Sequence, residues 1–148
     1  MAPAFANALW LLLALPQWYF ESVILLFANP GYALQPLAVL PAAGAVCLVA
    51  GIILALVRGR PRLLLLFALP VVLGEWLVAT AGFFRGQFKT GSEWLLLPFL
   101  AVVVALVLFL VIRARGARLP AILLGAFGLT YALLGSFIAG MAFTDVWL

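Results

Sequence analysis

Histidine is absent from this chain of 148 residues, and cysteine occurs once, as Cys47. Without histidine, neither a Ser-His-Asp nor a Cys-His nucleophile can be assembled, and a haem held by an axial histidine is excluded. One cysteine leaves too few soft ligands for a zinc site, so neither a metal nor a cofactor is expected. Cys47 has no intramolecular disulfide partner. The phosphate-binding pattern G-x-x-x-x-G-K-[ST] and the nucleophile pattern G-x-S-x-G are also missing. Charged residues make up 8% of the chain, against about a quarter in soluble domains. A water-soluble globule could not be covered with so little polar surface.

What is present is apolar. Hydrophobic residues make up 69% of the sequence, which excludes disorder and points to an integral membrane protein with several spans. The apolar residues form five continuous runs: 5–28, 37–57, 63–84, 94–112 and 119–143. Each is long enough to cross a hydrocarbon core of about 30 Å as a helix. The runs do not alternate in polarity, so a transmembrane barrel does not fit. The fold expected is all-α, a single polytopic membrane domain over 1–148. The first run is the least regular, because it carries Pro16 and Glu21. Asn29-Pro30-Gly31-Tyr32 reads as the turn after it. Met1 to Leu15 contains no Lys or Arg and no clear small-x-small cleavage pattern follows, so this run is expected to be a retained span, not a signal peptide.

The net charge of +4 would suggest nucleic acid in a soluble protein. Here six of the eight basic residues fall in two short breaks: Arg58, Arg60 and Arg62, then Arg113, Arg115 and Arg118. They signal topology, with a lipid bilayer as the partner and no nucleic acid expected. Two runs separate the breaks, so both face one side, and the positive-inside rule makes that side cytoplasmic. The N-terminus is then expected inside and the C-terminus outside. The four acids fall in the outer half. Tyr19, Tyr32, Trp94 and Trp147 fall near outer ends, where amphipathic rings anchor at the headgroups. A bacterial inner membrane is the location expected.

A duplicated two-helix unit with a fifth helix added is suggested by a local match. Leu11-Leu12-Leu13-Ala14-Leu15-Pro16 precedes Glu21 by the same step that separates Leu65-Leu66-Phe67-Ala68-Leu69-Pro70 from Glu75. Two spans per unit would make such repeats parallel. The match would place Glu21 and Glu75 at equivalent depths, about 10–14 Å below the outer surface. A carboxylate there costs about 2.5–3.5 kcal/mol or more unless it is paired, protonated or facing water. Glu21 and Glu75 are therefore the ligand or ion candidates, and together in one cavity they would bind a cation or relay protons. The plain alternative is a structural residue hydrogen-bonded to a neighbouring helix. Arg85 is expected to reach Glu93 or Asp145. Thr80 and Thr130 are expected to bond back to their own helix.

In the fifth run, Gly125, Gly128, Ala132, Gly135 and Ala139 recur every three or four residues. Such a stripe lets another helix approach closely and reads as a packing seam. Gly44, Cys47, Gly51 and Ala55 repeat the pattern in the second run. The fourth run, rich in Val and Leu, is expected to face lipid.

Three functional classes fit these features. The first is a non-catalytic subunit or assembly factor, joined through such seams to other membrane subunits or to itself. The second is a small oligomeric transporter or channel using Glu21 and Glu75. The third is an intramembrane lipid enzyme, which would need Glu75 as base with Arg85 or Thr80 beside it. Enzyme activity is not expected.

Overall fold

The computed structural model describes residues 2–28, 36–87, 94 and 96–145, with the backbone only at 2, 26, 27 and 36–38. Five helices account for almost all of them: α1 (Ala2–Ala28), α2 (Pro36–Val57), α3 (Arg62–Phe83), α4 (Leu96–Arg113) and α5 (Arg118–Thr144). No strand occurs among the described residues. All five helices are long and apolar enough to cross a membrane, and the protein is an all-α, multi-pass integral membrane protein. The helix ends fall within about three residues of the apolar runs, inside ordinary boundary scatter. Pro16 does not divide α1, which is continuous over its 27 residues.

Proline and glycine set the breaks. After α2, Gly59 adopts a positive φ of 64°. The Arg60 N–H donates to the Ala55 carbonyl at 2.8 Å and the Gly59 N–H to the Leu56 carbonyl at 2.9 Å. This paired closure is the Schellman arrangement, and glycine at its left-handed position carries no Cβ penalty. Pro61 then caps the start of α3 with helical dihedrals and no amide hydrogen to lose.

The helix α5 lies at the centre. Of its spanning stretch 56% is buried, against 17% for α4. It packs against α2, α3 and α4, while α1 packs mainly on α3 and α2. The seam expected from its small residues is filled from within this chain. A Cβ added at Gly125 would stand 2.7 Å from Val107 of α4, and one at Gly128 would stand 3.0 Å from Pro70 of α3. At Gly135 it would stand 3.4 Å from Leu15 of α1 and from Val78 of α3. Ala132 and Ala139 are fully buried. The seam on α2 is likewise internal, since Gly51 abuts Leu124 of α5 and Ala55 is fully buried. By contrast α4 buries only Val103, Val107 and Leu110. Leu96, Phe99, Leu106 and Val111 flank that narrow stripe as partly buried residues, and the other face of the helix is apolar and exposed.

The direction of α1 departs from the expectation. Its start lies beside the end of α3, where Gly82 abuts Ala8. Farther along, Leu15 of α1 and Val78 of α3 both abut Gly135. These contacts make α1 antiparallel to α3. The contacts of Gly125, Gly128 and Gly135 make α3 parallel to α5, and those of Gly44 and Gly51 make α2 antiparallel to α5. Hence α2 to α5 alternate, whereas α1 runs the same way as α2. The start of α1 thus shares an end with the finish of α3 and α5, opposite the two arginine-rich breaks. The inside placement expected for the N-terminus assumed a tight turn near Asn29, which lies outside the described residues.

The duplication is not carried into the packing either. Parallel repeats would align α1 with α3, and these two helices are antiparallel. Leu11 and Leu15 are buried (1% and 0% exposed), while their counterparts Leu65 and Leu69 are 77% and 47% exposed. A helix that is apolar all round carries no sequence mark of its inward face, so like strings can turn opposite ways.

This geometry is open to a labelling test. In a Cys47→Ser background, cysteines introduced at Pro3 and Gln87 are expected to react with an impermeant maleimide from one side, and a cysteine at Arg115 from the other. Labelling of the Pro3 position together with the Arg115 position would contradict the direction given to α1.

Candidate functional site

Two interior clusters divide the bundle by depth. The first joins Leu11, Leu15 and Tyr19 of α1 to Leu77 and Val78 of α3 and to Phe127, Tyr131 and Ile138 of α5. The second, at the arginine-rich end, joins Leu63, Phe67, Val107, Leu110 and Leu124, and contains no α1 residue among those whose side chains are described. The buried tyrosines, Tyr19 and Tyr131, belong to the first cluster.

Glu75 lies on α3 and is turned towards α5. Its Oε1 accepts a hydrogen bond from the Tyr131 hydroxyl. Its Oε2 is buried and has no hydrogen-bond partner. Tyr131 is 3% exposed, and its neighbour on α3 is Gly74. A Cβ at Gly74 would stand 3.5 Å from the Tyr131 ring, an ordinary van der Waals contact, so the two helices pack closely here. Tyr131 also packs against Tyr19, with ring centroids 5.2 Å apart, and both rings pack on Phe127.

A second polar link stands beside the first. The hydroxyls of Tyr19 and Thr130 are 2.8 Å apart. Thr130 Oγ1 also lies 2.9 Å from the Phe127 carbonyl, to which it donates. Threonine has one hydroxyl proton, so Tyr19 is the donor in the first bond. Gly44 of α2 faces both oxygens so closely that a Cβ there would collide with them. Four helices thus meet around one polar layer: α1 through Tyr19, α2 through Gly44, α3 through Glu75, and α5 through Thr130 and Tyr131.

Tyr19 is 0% exposed. It is therefore an interior hydrogen-bonding residue and not the headgroup anchor expected from its place in the sequence. A position two residues along a helix is turned by about 200°, so an inward Tyr19 sends Glu21 outward. Glu21 is exposed, and its Oε1 accepts from Gln17 Nε2 at 2.7 Å on the same helix. The expected pair is thus separated by helical phase. Glu21 binds on the outer face of α1 and Glu75 inside.

The remaining expectations divide in the same way. Thr80 bonds back to the Trp76 carbonyl, as expected, whereas Thr130 also crosses to Tyr19. Arg85 Nε donates to Asp145 Oδ1 at 2.8 Å, with both side chains largely in the open, where such a pair contributes about 0–1 kcal/mol. Among the described hydrogen bonds, Glu75 is joined to Tyr131, Thr80 to the Trp76 carbonyl and Arg85 to Asp145. Trp94 is exposed at the entry to α4, while Tyr32, Glu93 and Trp147 lie outside the described residues. No cluster of three metal-ligating side chains occurs among the described residues.

The partners of Glu75 left a trace in the sequence. Gly128, Tyr131, Ala132 and Gly135 share one face of α5, so Tyr131 had to point inward. A buried tyrosine needs a partner for its hydroxyl, and an acid within an apolar span needs a donor. Comparison with protein-family models, with curated proteins and with solved structures finds no match.

The Tyr19–Thr130 bond is expected to hold α1 onto α5. Tyr19→Phe and Thr130→Val should each lower stability in detergent by about 1 kcal/mol. Made together they should cost clearly less than the sum, because one bond is lost twice. Strict additivity in that cycle would show that the two hydroxyls do not interact.

Proposed function

We propose that this protein is a small membrane transporter or channel in which Glu75 binds and releases a proton or small cation within the helix bundle. The observation that carries this reading is the buried, unpartnered Oε2 of Glu75. An orphan oxygen on an interior carboxyl calls for a function or a ligand to explain it, and ionisable groups inside spans are functional candidates by default. Tyr131 fixes one oxygen and leaves the other free to take up a cation. Glu21, on the outer face, has no part in this site.

The arginine-rich end, with Arg58, Arg60, Arg62, Arg113, Arg115 and Arg118, faces the cytoplasm by the positive-inside rule. In a bacterium the membrane would be the inner one.

A second reading, a non-catalytic subunit of a larger complex, rests on α4. That helix buries only three residues in this chain, and Val102, Leu108, Phe109 and Ile112 lie more than half exposed on it. The small-residue seams no longer support this reading, since their partners are internal.

Extraction into nanodiscs followed by native mass spectrometry separates the two. The transporter reading expects the chain alone or as a homo-oligomer. Stoichiometric recovery with different subunits would overturn it in favour of the second.

A further inference from the structure

The two arginine-rich breaks are far apart in sequence and meet in space. Arg60 and Arg62, at the entry to α3, line one cleft together with Arg113 and Arg115, at the exit of α4. The cleft encloses about 250 Å³, and its floor includes Leu66 and Leu110. Leu66 is 49% exposed on the flank of α3, so the apolar floor opens towards the surrounding lipid. A second hollow of about 390 Å³, lined by Ile112, Arg113 and Arg115, adjoins it on the outer side of α4.

The charge here is not balanced within the described chain. None of these four arginines is in an ion pair among the described residues; the ion pair described joins Arg85 and Asp145 at the opposite end. The Arg113 Cζ lies over the Phe109 ring, 5.1 Å from the centroid, a cation–π contact. Arginine suits phosphate because its donors form a rigid planar fork. A free phosphate would use the guanidinium groups and have no use for Leu66 and Leu110. A phospholipid uses both, and the cleft stands at the end of membrane-spanning helices, where a headgroup lies.

We propose that this cleft binds an anionic phospholipid, with the headgroup phosphate held by Arg60, Arg62, Arg113 and Arg115 and an acyl chain laid along Leu66 and Leu110 between α3 and α4. Basic pockets between spanning helices are suited to such headgroups. The proposal stands apart from the role given to Glu75, which is bonded to Tyr131 of the other interior cluster.

The test uses the purified, delipidated full chain and native mass spectrometry. Phosphatidylglycerol is compared with phosphatidylcholine bearing the same acyl chains, and inorganic pyrophosphate serves as the phosphate without a tail. The wild-type protein is expected to retain phosphatidylglycerol about tenfold more strongly than phosphatidylcholine, and pyrophosphate should not displace it. The double variant Arg60→Gln/Arg115→Gln should lose that retention by about tenfold or more, taking the usual contribution per basic residue. Arg58→Gln/Arg118→Gln removes the same charge from the same end without touching the cleft, and should change retention by less than about threefold. Equal loss in both variants would overturn the site in favour of diffuse surface charge. So would equal retention of the two lipids by the wild type, a comparison that needs no variant to fold. Displacement of the lipid by pyrophosphate would overturn the assignment to lipid.

Discussion

Replacing Gly82 with leucine is expected to detach α1 from the bundle while α2 to α5 stay folded. A Cβ at Gly82 would stand 2.7 Å from Ala8 Cα, 2.9 Å from Ala8 N and 2.9 Å from Asn7 O. All three are backbone atoms, which cannot swing aside as a flexible side chain would. The helices must therefore separate. Overpacking of this kind costs about 1–3 kcal/mol, and leucine adds three more carbons to the clash. Loss of the α1 contact also removes Leu11, Leu15 and Tyr19 from the first cluster. The second cluster contains no α1 residue among those whose side chains are described, so it should survive. Hydrogen exchange by segment is the readout: α1 should lose protection and the start of α5 should keep it. Gly82→Ala should show the same pattern more weakly. Unchanged protection of α1 in Gly82→Leu would show that Ala8 does not lie against it.

Changing Glu75 should separate structure from function. Glu75→Leu takes away the acceptor for Tyr131 and leaves a hydroxyl orphaned in the interior, at a cost of about 1–3 kcal/mol. Tyr131→Phe should cost less on its own. In the cycle Glu75→Leu/Tyr131→Phe the coupling should come to about 0.6–2 kcal/mol, the range of interhelical hydrogen bonds in membranes. Glu75→Gln keeps an acceptor for Tyr131 in nearly the same shape and removes only the charge. It should fold and assemble as the wild type does, yet fail in transport. A residue serving only to tie α3 to α5 would tolerate glutamine in every assay.

The five helices were legible because each apolar run is long and each break carries its own chemistry: the Gly59–Pro61 turn, and the arginines around Gly116. The seam of α5 was legible because Gly125, Gly128, Ala132, Gly135 and Ala139 keep a helical period. What filled that seam was not, since Val107, Pro70, Val78 and Leu15 are ordinary apolar residues with nothing to mark them as partners. The direction of α1 was hidden for a related reason. Charge orients helices from the sequence, and α1 carries no basic residue at either end. Glu21 and Glu75 looked alike because the strings before them are alike. Only the placement of Tyr19 against Thr130 and Gly44 shows that α1 turns its glutamate outward. The converging arginines could be assigned to one end from the sequence, but the cleft between them needs the packing of α3 beside α4.

Ion flux in proteoliposomes puts the role of Glu75 to the test. Wild type, Glu75→Gln and Glu21→Gln would be reconstituted at matched amounts, and proton and sodium or potassium movement followed under an imposed gradient. The interior site requires flux in the wild type, flux close to that in Glu21→Gln, and background flux in a Glu75→Gln protein that is still folded. Equal flux in wild type and Glu75→Gln, or none in the wild type for any of these ions, would contradict it.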